Sequence, residues 1–244
     1  MKYPRLRDSG KLQMHEPYPI NELPNEIVVK IGAHLVYLLC TGRKDISGRD
    51  RGDAFAEAID GKHLDSPVGI ADVVSGKMAW SMKTVKNTDP FTARTIRLIS
   101  GRCSPDYSYG ITDPHTDIQK TGRAVLGIWN ERINIAYDSY NPVRTSILIR
   151  SSDMLSYCIF EEENQRYRTN DYYWESNKNG NLIGKEIETG ETKFTWQPHG
   201  SQFTIHTKVP QNAIKFTIKK PMEITKNQLL NSIGFDKTWI KIIK

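Results

Sequence analysis

Residues 69–86 read GIADVVSGKMAWSMKTVK, two apolar-rich runs separated by Ser75-Gly76-Lys77. The pattern predicts a β-hairpin on a tight turn. Nothing else in the chain constrains the fold as strongly, because alternation along a strand assigns each side chain to a face. Residues two apart share a face, so Ser81 and Lys83 point together while Trp80 and Met82 point the other way. Asp72, on the first run, can join the Ser81–Lys83 face, and the pairing register decides whether it does. A carboxylate and a lysine in an apolar hairpin are costly unless paired or used.

One use is chemical. A carboxylate is a hard oxygen ligand for Mg²⁺, which keeps several waters and needs few protein ligands. The backbone carbonyl beside Ser81, at Met82, can supply another, and a bound metal lowers the pKa of its water. Lys83 then orients the nucleophile or stabilises charge developing on a phosphoryl oxygen. The competing reading is a plain Asp72–Lys83 salt bridge at a sheet edge. A hydrolase with Ser81 as nucleophile and Lys83 as base has no oxyanion-loop signature to support it.

The rest of the chain supplies the frame. Its 244 residues can bury a sizeable core, and 25% charged against 38% apolar residues is ordinary for a globular protein. Lys and Arg outnumber Asp and Glu 34 to 28, giving +6, which suits a polyanionic partner. No apolar run approaches the roughly 20 residues of a membrane span, and no apolar segment follows the charged N-terminus as in a secretory signal. Cys40, Cys103 and Cys158 are odd in number and form no CxxC pair. The expectation is therefore a cytoplasmic protein with reduced thiols and no membrane partner.

Residues 1–24 read as an irregular arm, 25–163 as a core, and 164–244 as a β-rich C-terminal region integral to the same domain. Within the core a buried helix is expected from Asn25, its possible N-cap, to Gly42. A polar loop over 43–52 and a short helix from Asp53 to about Ile59 follow. After the hairpin comes a third strand from Ile96, completing an antiparallel meander. A long helix is expected with Thr112 or Asp113 as cap and Pro114 at its first position. Strands at VRTSILIRS and SYCIFEEE close the core, and the tail holds one short helix. The class is α/β or α+β.

Helix, meander, helix, strand, with Asp72 preceded by SPVGIA and Lys83 eleven residues on, resembles the PD-(D/E)xK nuclease superfamily. That group includes many type II restriction endonucleases. The resemblance covers residues 50–150 and implies a mixed central sheet with flanking helices. It also implies Mg²⁺-dependent, sequence-specific cleavage of double-stranded DNA, a homodimer on a palindromic site, and a cognate methyltransferase in the same system. Asp72 matches the first acid and Lys83 the lysine, but Ser81 stands where the second acid is usual. Some restriction enzymes with Ser-x-Lys take that carboxylate from elsewhere. Here the resemblance points to Glu57 on the preceding helix, with Asp89 as substitute. The alternative is a non-catalytic DNA-binding protein on a nuclease-like scaffold.

Candidate DNA contacts are Arg102, in the loop SGRCSPDYSYG, and Gln197, His199 and Gln202 around the turn QPHGSQ. Gln can pair adenine and Arg can pair guanine through two hydrogen bonds. His206 lies too far from His199, with no acid beside either, to suggest zinc. Arg43, Lys44, Arg49 and Arg51 offer a phosphate clamp or a solvated loop. FEEEN, residues 160–164, reads as a strand end in solvent.

Overall fold

A computed structural model describes residues 16–243; the first fifteen residues of the expected arm lie outside the described residues. The chain is an α+β protein with two sheets. Helices α1 (Asn25–Cys40) and α2 (Gly48–Ala58) precede strands β1 (Lys62–Val68), β2 (Ala71–Ser75), β3 (Met78–Lys86) and β4 (Thr95–Arg102). Next come α3 (Pro105–Tyr109), α4 (Ile118–Ser139), β5 (Val143–Arg150) and β6 (Ser156–Glu163). The remainder is β7 (Tyr172–Ser176), β8 (Leu182–Glu186), β9 (Thr192–Gln197), β10 (Gln202–Lys208), β11 (Ile214–Thr217) and α5 (Lys226–Ser232).

The first sheet has the order β1-β2-β3-β5-β6-β11 and the second β4-β10-β9-β8-β7. The first is mixed: β3 runs parallel to β5, Ser81 facing Thr145 and Lys83 facing Ile147, and its other pairs are antiparallel. On one face α1 and α2 bury Ile31, Leu35 and Phe55 against Trp80, Leu148 and Ile159. Trp80 is fully buried and meets Phe55 edge-on, so the back of the hairpin is anchored as its alternation implies. On the other face α4 sets Val125, Leu126 and Ile133 against Ala79 and Val143, and reaches Trp174, Phe194 and Phe203 of the second sheet.

Five expectations need correction. The meander exists, but its members are β1, β2 and β3. The strand containing Ile96 is β4, which leaves to pair with β10 and packs Ile96 and Leu98 against Ile147 and Ile149 across the gap between sheets. β1 carries Pro67 and is largely polar, tolerable because it is an edge strand. Residues 43–52 are not all loop, since Ser47 caps α2 and exchanges hydrogen bonds with Asp50 in a capping box.

α4 likewise begins later than Pro114. Asp117 is its N-cap and accepts from the Lys120 N–H. α1 starts at Asn25, but Pro24 holds the cap position without a side-chain hydrogen bond. The FEEEN segment is not solvated throughout. Glu161 is buried, accepting from Tyr18 Oη and Trp80 Nε1, both at 2.9 Å, and from Arg144 at 3.1 Å. Three donors compensate the carboxylate for lost water.

The C-terminal region interlocks with the core. β4 from the core sits in the second sheet, while β11 from the end of the chain extends the first. Cys103 and Cys158 are buried and Cys40 is half-buried; all three are free thiols. Among the described residues no helix is long and apolar enough to cross a membrane.

Candidate active site

Register decides the hairpin's chemistry. Val73 pairs with Trp80, which sets Asp72 opposite Ser81 and puts Asp72, Ser81 and Lys83 on one face. Asp72 Oδ2 accepts from the Met82 N–H at 2.7 Å and from Ser81 Oγ at 3.3 Å. The carboxylate thus holds the backbone amide just where the β2–β3 pairing ends. Lys83 is half-buried on the same face. Burial pushes its pKa below the ordinary lysine value, Asp72 works against that shift, and Arg132 adds to it.

Arg132, on α4, was not singled out by the sequence. Its guanidinium donates to the Ser100 carbonyl at 2.9 Å and the Gly69 carbonyl at 3.5 Å. It therefore ties the second sheet, two residues before Arg102, to the first, three residues before Asp72. Gly101 takes a positive φ of 103°, and a Cβ there would lie 2.3 Å from the Arg132 guanidinium. Only glycine fits that approach.

Two concavities adjoin these residues. Asp72 opens onto a cleft of about 470 Å³ that it shares with Arg49, Asp53, His63 and Asp65. His63 Nδ1 sits 2.7 Å from Asp53 Oδ1. Lys83 lines a cavity of about 310 Å³ between the sheets, with Thr145, Glu162, Lys193, Trp129 and Tyr167 around it. Glu162 accepts from Thr207 Oγ1, and burial raises its pKa above the ordinary glutamate value.

Glu57 is not among the residues lining the Asp72 cleft. Its exposed carboxylate is 3.2 Å from His34 Nδ1 on α1, while Asp53, one helical turn earlier, faces the cleft. Asp89 is engaged locally, accepting from the Phe91 N–H and Thr92 Oγ1, both at 2.9 Å. Those bonds, the backbone one foremost, hold its carboxyl below the usual range. Among the described residues no three His, Cys, Asp or Glu side chains converge as a ready-made metal cluster. The Asp72 cleft still offers hard oxygen donors of the kind Mg²⁺ takes, one or two carboxylates completed by water.

The candidate DNA-contacting residues do come together. Gln202 pairs with Gln197 on one side and Arg102 on the other, so the three form a row across β9, β10 and β4. Exposed His199 sits in the 3₁₀ turn joining β9 to β10. Arg51 cannot clamp phosphate. It is fully buried and donates to Ser146 Oγ at 2.7 Å, whereas Arg49 stays exposed. His206 faces Thr195 at 2.9 Å, away from His199. The i, i+4 stripe Arg49–Asp53–Glu57 was readable on a helix, but which member meets Asp72 depends on where β1 lies.

Compared with known proteins, the chain matches no family model, no curated protein and no solved structure.

Proposed function

We propose that the protein is a Mg²⁺-dependent, sequence-specific endonuclease of the type II restriction class, acting on double-stranded DNA. The observation behind this reading is the placement of Asp72, Ser81 and Lys83 on one face of a three-stranded meander. A helix precedes that meander, and α4 leads back to a strand parallel to its last member. That order and pairing support reading the first sheet as a restriction-endonuclease-like core.

In this reading Asp72, with Asp53 or Asp65 across the cleft and the Met82 carbonyl beside it, holds the divalent cation; Glu57 is the alternative acid. The cation supplies Lewis acidity and a water of lowered pKa. Lys83 would orient the attacking water and stabilise charge on the phosphoryl oxygen, and Ser81 would keep the Asp72 carboxylate aimed. Arg102, Gln197, His199 and Gln202 present donors and acceptors to phosphates and base edges. A palindromic target calls for a two-fold homodimer. A cognate methyltransferase protects host DNA in the cytoplasm.

Purified protein incubated with unmethylated plasmid or phage DNA should give discrete bands with Mg²⁺ and none with EDTA. Asp72→Ala and Lys83→Ala should each lower cleavage by at least about 100-fold while leaving the circular dichroism spectrum unchanged. Full activity in either variant overturns the assignment. Asp53→Asn and Glu57→Gln, assayed against Mg²⁺ concentration, identify the acid that replaces the one missing at Ser81.

A second reading has its own observation. The Asp72 Oδ2 atom already accepts two hydrogen bonds from the facing strand, a structural duty that suits a non-catalytic DNA-binding scaffold. DNA binding without cleavage across Mg²⁺, Mn²⁺ and Ca²⁺ would favour it.

A further inference from the structure

The last part of the chain is ordered in detail yet buries nothing. α5 has a complete capping box between Thr225 and Gln228, Phe235 stacks edge-on with Trp239, and the Ile224 N–H donates to the Cys40 carbonyl at the end of α1. Between Met222 and Ile243, nine large apolar side chains are exposed, among them Leu229, Ile233, Trp239 at 60% and Ile240 at 67%. They amount to roughly 1,000 Å² of surface, the scale one partner contributes to a stable interface and more than the few hundred Å² of contiguous apolar surface usual on a monomer.

α1, beside it, has apolar residues on both sides. Ile27, Ile31, Leu35 and Leu38 face the core, while Val29, Ala33 and Tyr37 form an exposed stripe one turn apart. Exposed Glu26 and Lys30 flank that stripe, so the outer side of α1 is a mixed surface with an apolar seam. A Cβ on Gly32, at the edge of that stripe, would meet nothing within 4 Å, so the stripe has an open notch at its middle. The tail offers the large knobs that such a notch accepts. Their charges also match. Residues 222–243 carry Lys226, Lys237 and Lys241 against Glu223 and Asp236, with Lys219 and Lys220 just before them. The exposed acids Glu22 and Glu26 lie just before and at the start of α1, while Glu57 and Asp60, near the end of the adjoining α2, already face His34 and Lys30.

We propose that the chain forms a two-fold homodimer in which residues 222–243 of each copy cover the outer stripe of α1 on the other. Within one chain the Ile224–Cys40 bond holds the start of the tail at the C-terminal end of α1, and among the described residues Val29 and Tyr37 of the stripe stay exposed. A two-fold axis satisfies both surfaces twice over. This assignment does not depend on the nuclease reading, although that reading also calls for a two-fold dimer; the α1 and tail variants report on this interface, and cleavage reports on the nuclease.

Sedimentation equilibrium of the full chain should give twice the chain mass at concentrations well below about 100 µM. Tyr37→Glu on α1 and Trp239→Glu on the tail should each weaken association by roughly tenfold or more, with unchanged circular dichroism. Mixing the two variants should restore dimer above the level of either alone, because a mixed pair retains one intact tail–α1 contact. A wild type that stays monomeric at about 100 µM overturns the proposal, as does a dimer indifferent to both substitutions. Failure of the mixture to recover also overturns it, pointing to α1–α1 or tail–tail contact. A monomer whose tail variants bind DNA more weakly would assign the tail to nucleic acid instead.

Discussion

Glu161 and Glu162 are neighbours on β6 that face opposite sides of the first sheet, and their surroundings ask different things of them. Glu161 satisfies Tyr18, Trp80 and Arg144 at once. Glu161→Ala should cost about 3–5 kcal/mol, because it leaves Tyr18, Trp80 and one side of the buried Arg144 guanidinium without their acceptor, Glu16 engaging only the other side; urea unfolding measures it. Glu162 is raised above the unfolded-state pKa by burial. The folded protein therefore binds more protons between those two values, and stability falls as pH rises through that window. Glu162→Gln, which keeps an acceptor for Thr207, should melt higher than wild type at pH 8 and lose that advantage toward pH 4. Neither role was readable in FEEEN. Three adjacent acids read as solvated until Tyr18, Arg144 and Thr207 arrive from distant parts of the sequence. Asp72, Ser81 and Lys83 were readable because strand alternation is local, and only the register had to come from the structure.

At the scale of elements, periodicity located α1, α4 and the strands, and failed where pairing is remote or chemistry unusual. The alternation of β4 marks it as a strand and carries no information about its partner, β10. β1 was invisible, since a polar run with a proline has no strand signature away from an edge. The start of α2 was written in Ser47 and Asp50, a capping signal hidden among charges. α4 packs so closely on β7 that a Cβ at Gly122 would lie 2.3 Å from the Trp174 ring. Gly122→Ala should therefore destabilise by about 1–3 kcal/mol through overpacking, although alanine is the better helix former by about 1 kcal/mol. Thermal or urea unfolding gives the sign directly.

For the molecule as a whole, exchange of β4 and β11 between regions makes the two sheets one cooperative unit. A fragment of residues 1–163 leaves β4 without β10 and β6 without β11. It should show no cooperative thermal transition by circular dichroism, and co-expression with 164–244 should restore one. The same exchange has a consequence for synthesis. β4 leaves the ribosome about 100 residues before β10 does, so at 5–20 residues per second its ladder edge waits roughly 5–20 s for a partner. Throughout that interval Ile96 and Leu98 sit on a strand edge open to any other nascent chain, the condition under which chaperones are recruited and inclusion bodies begin.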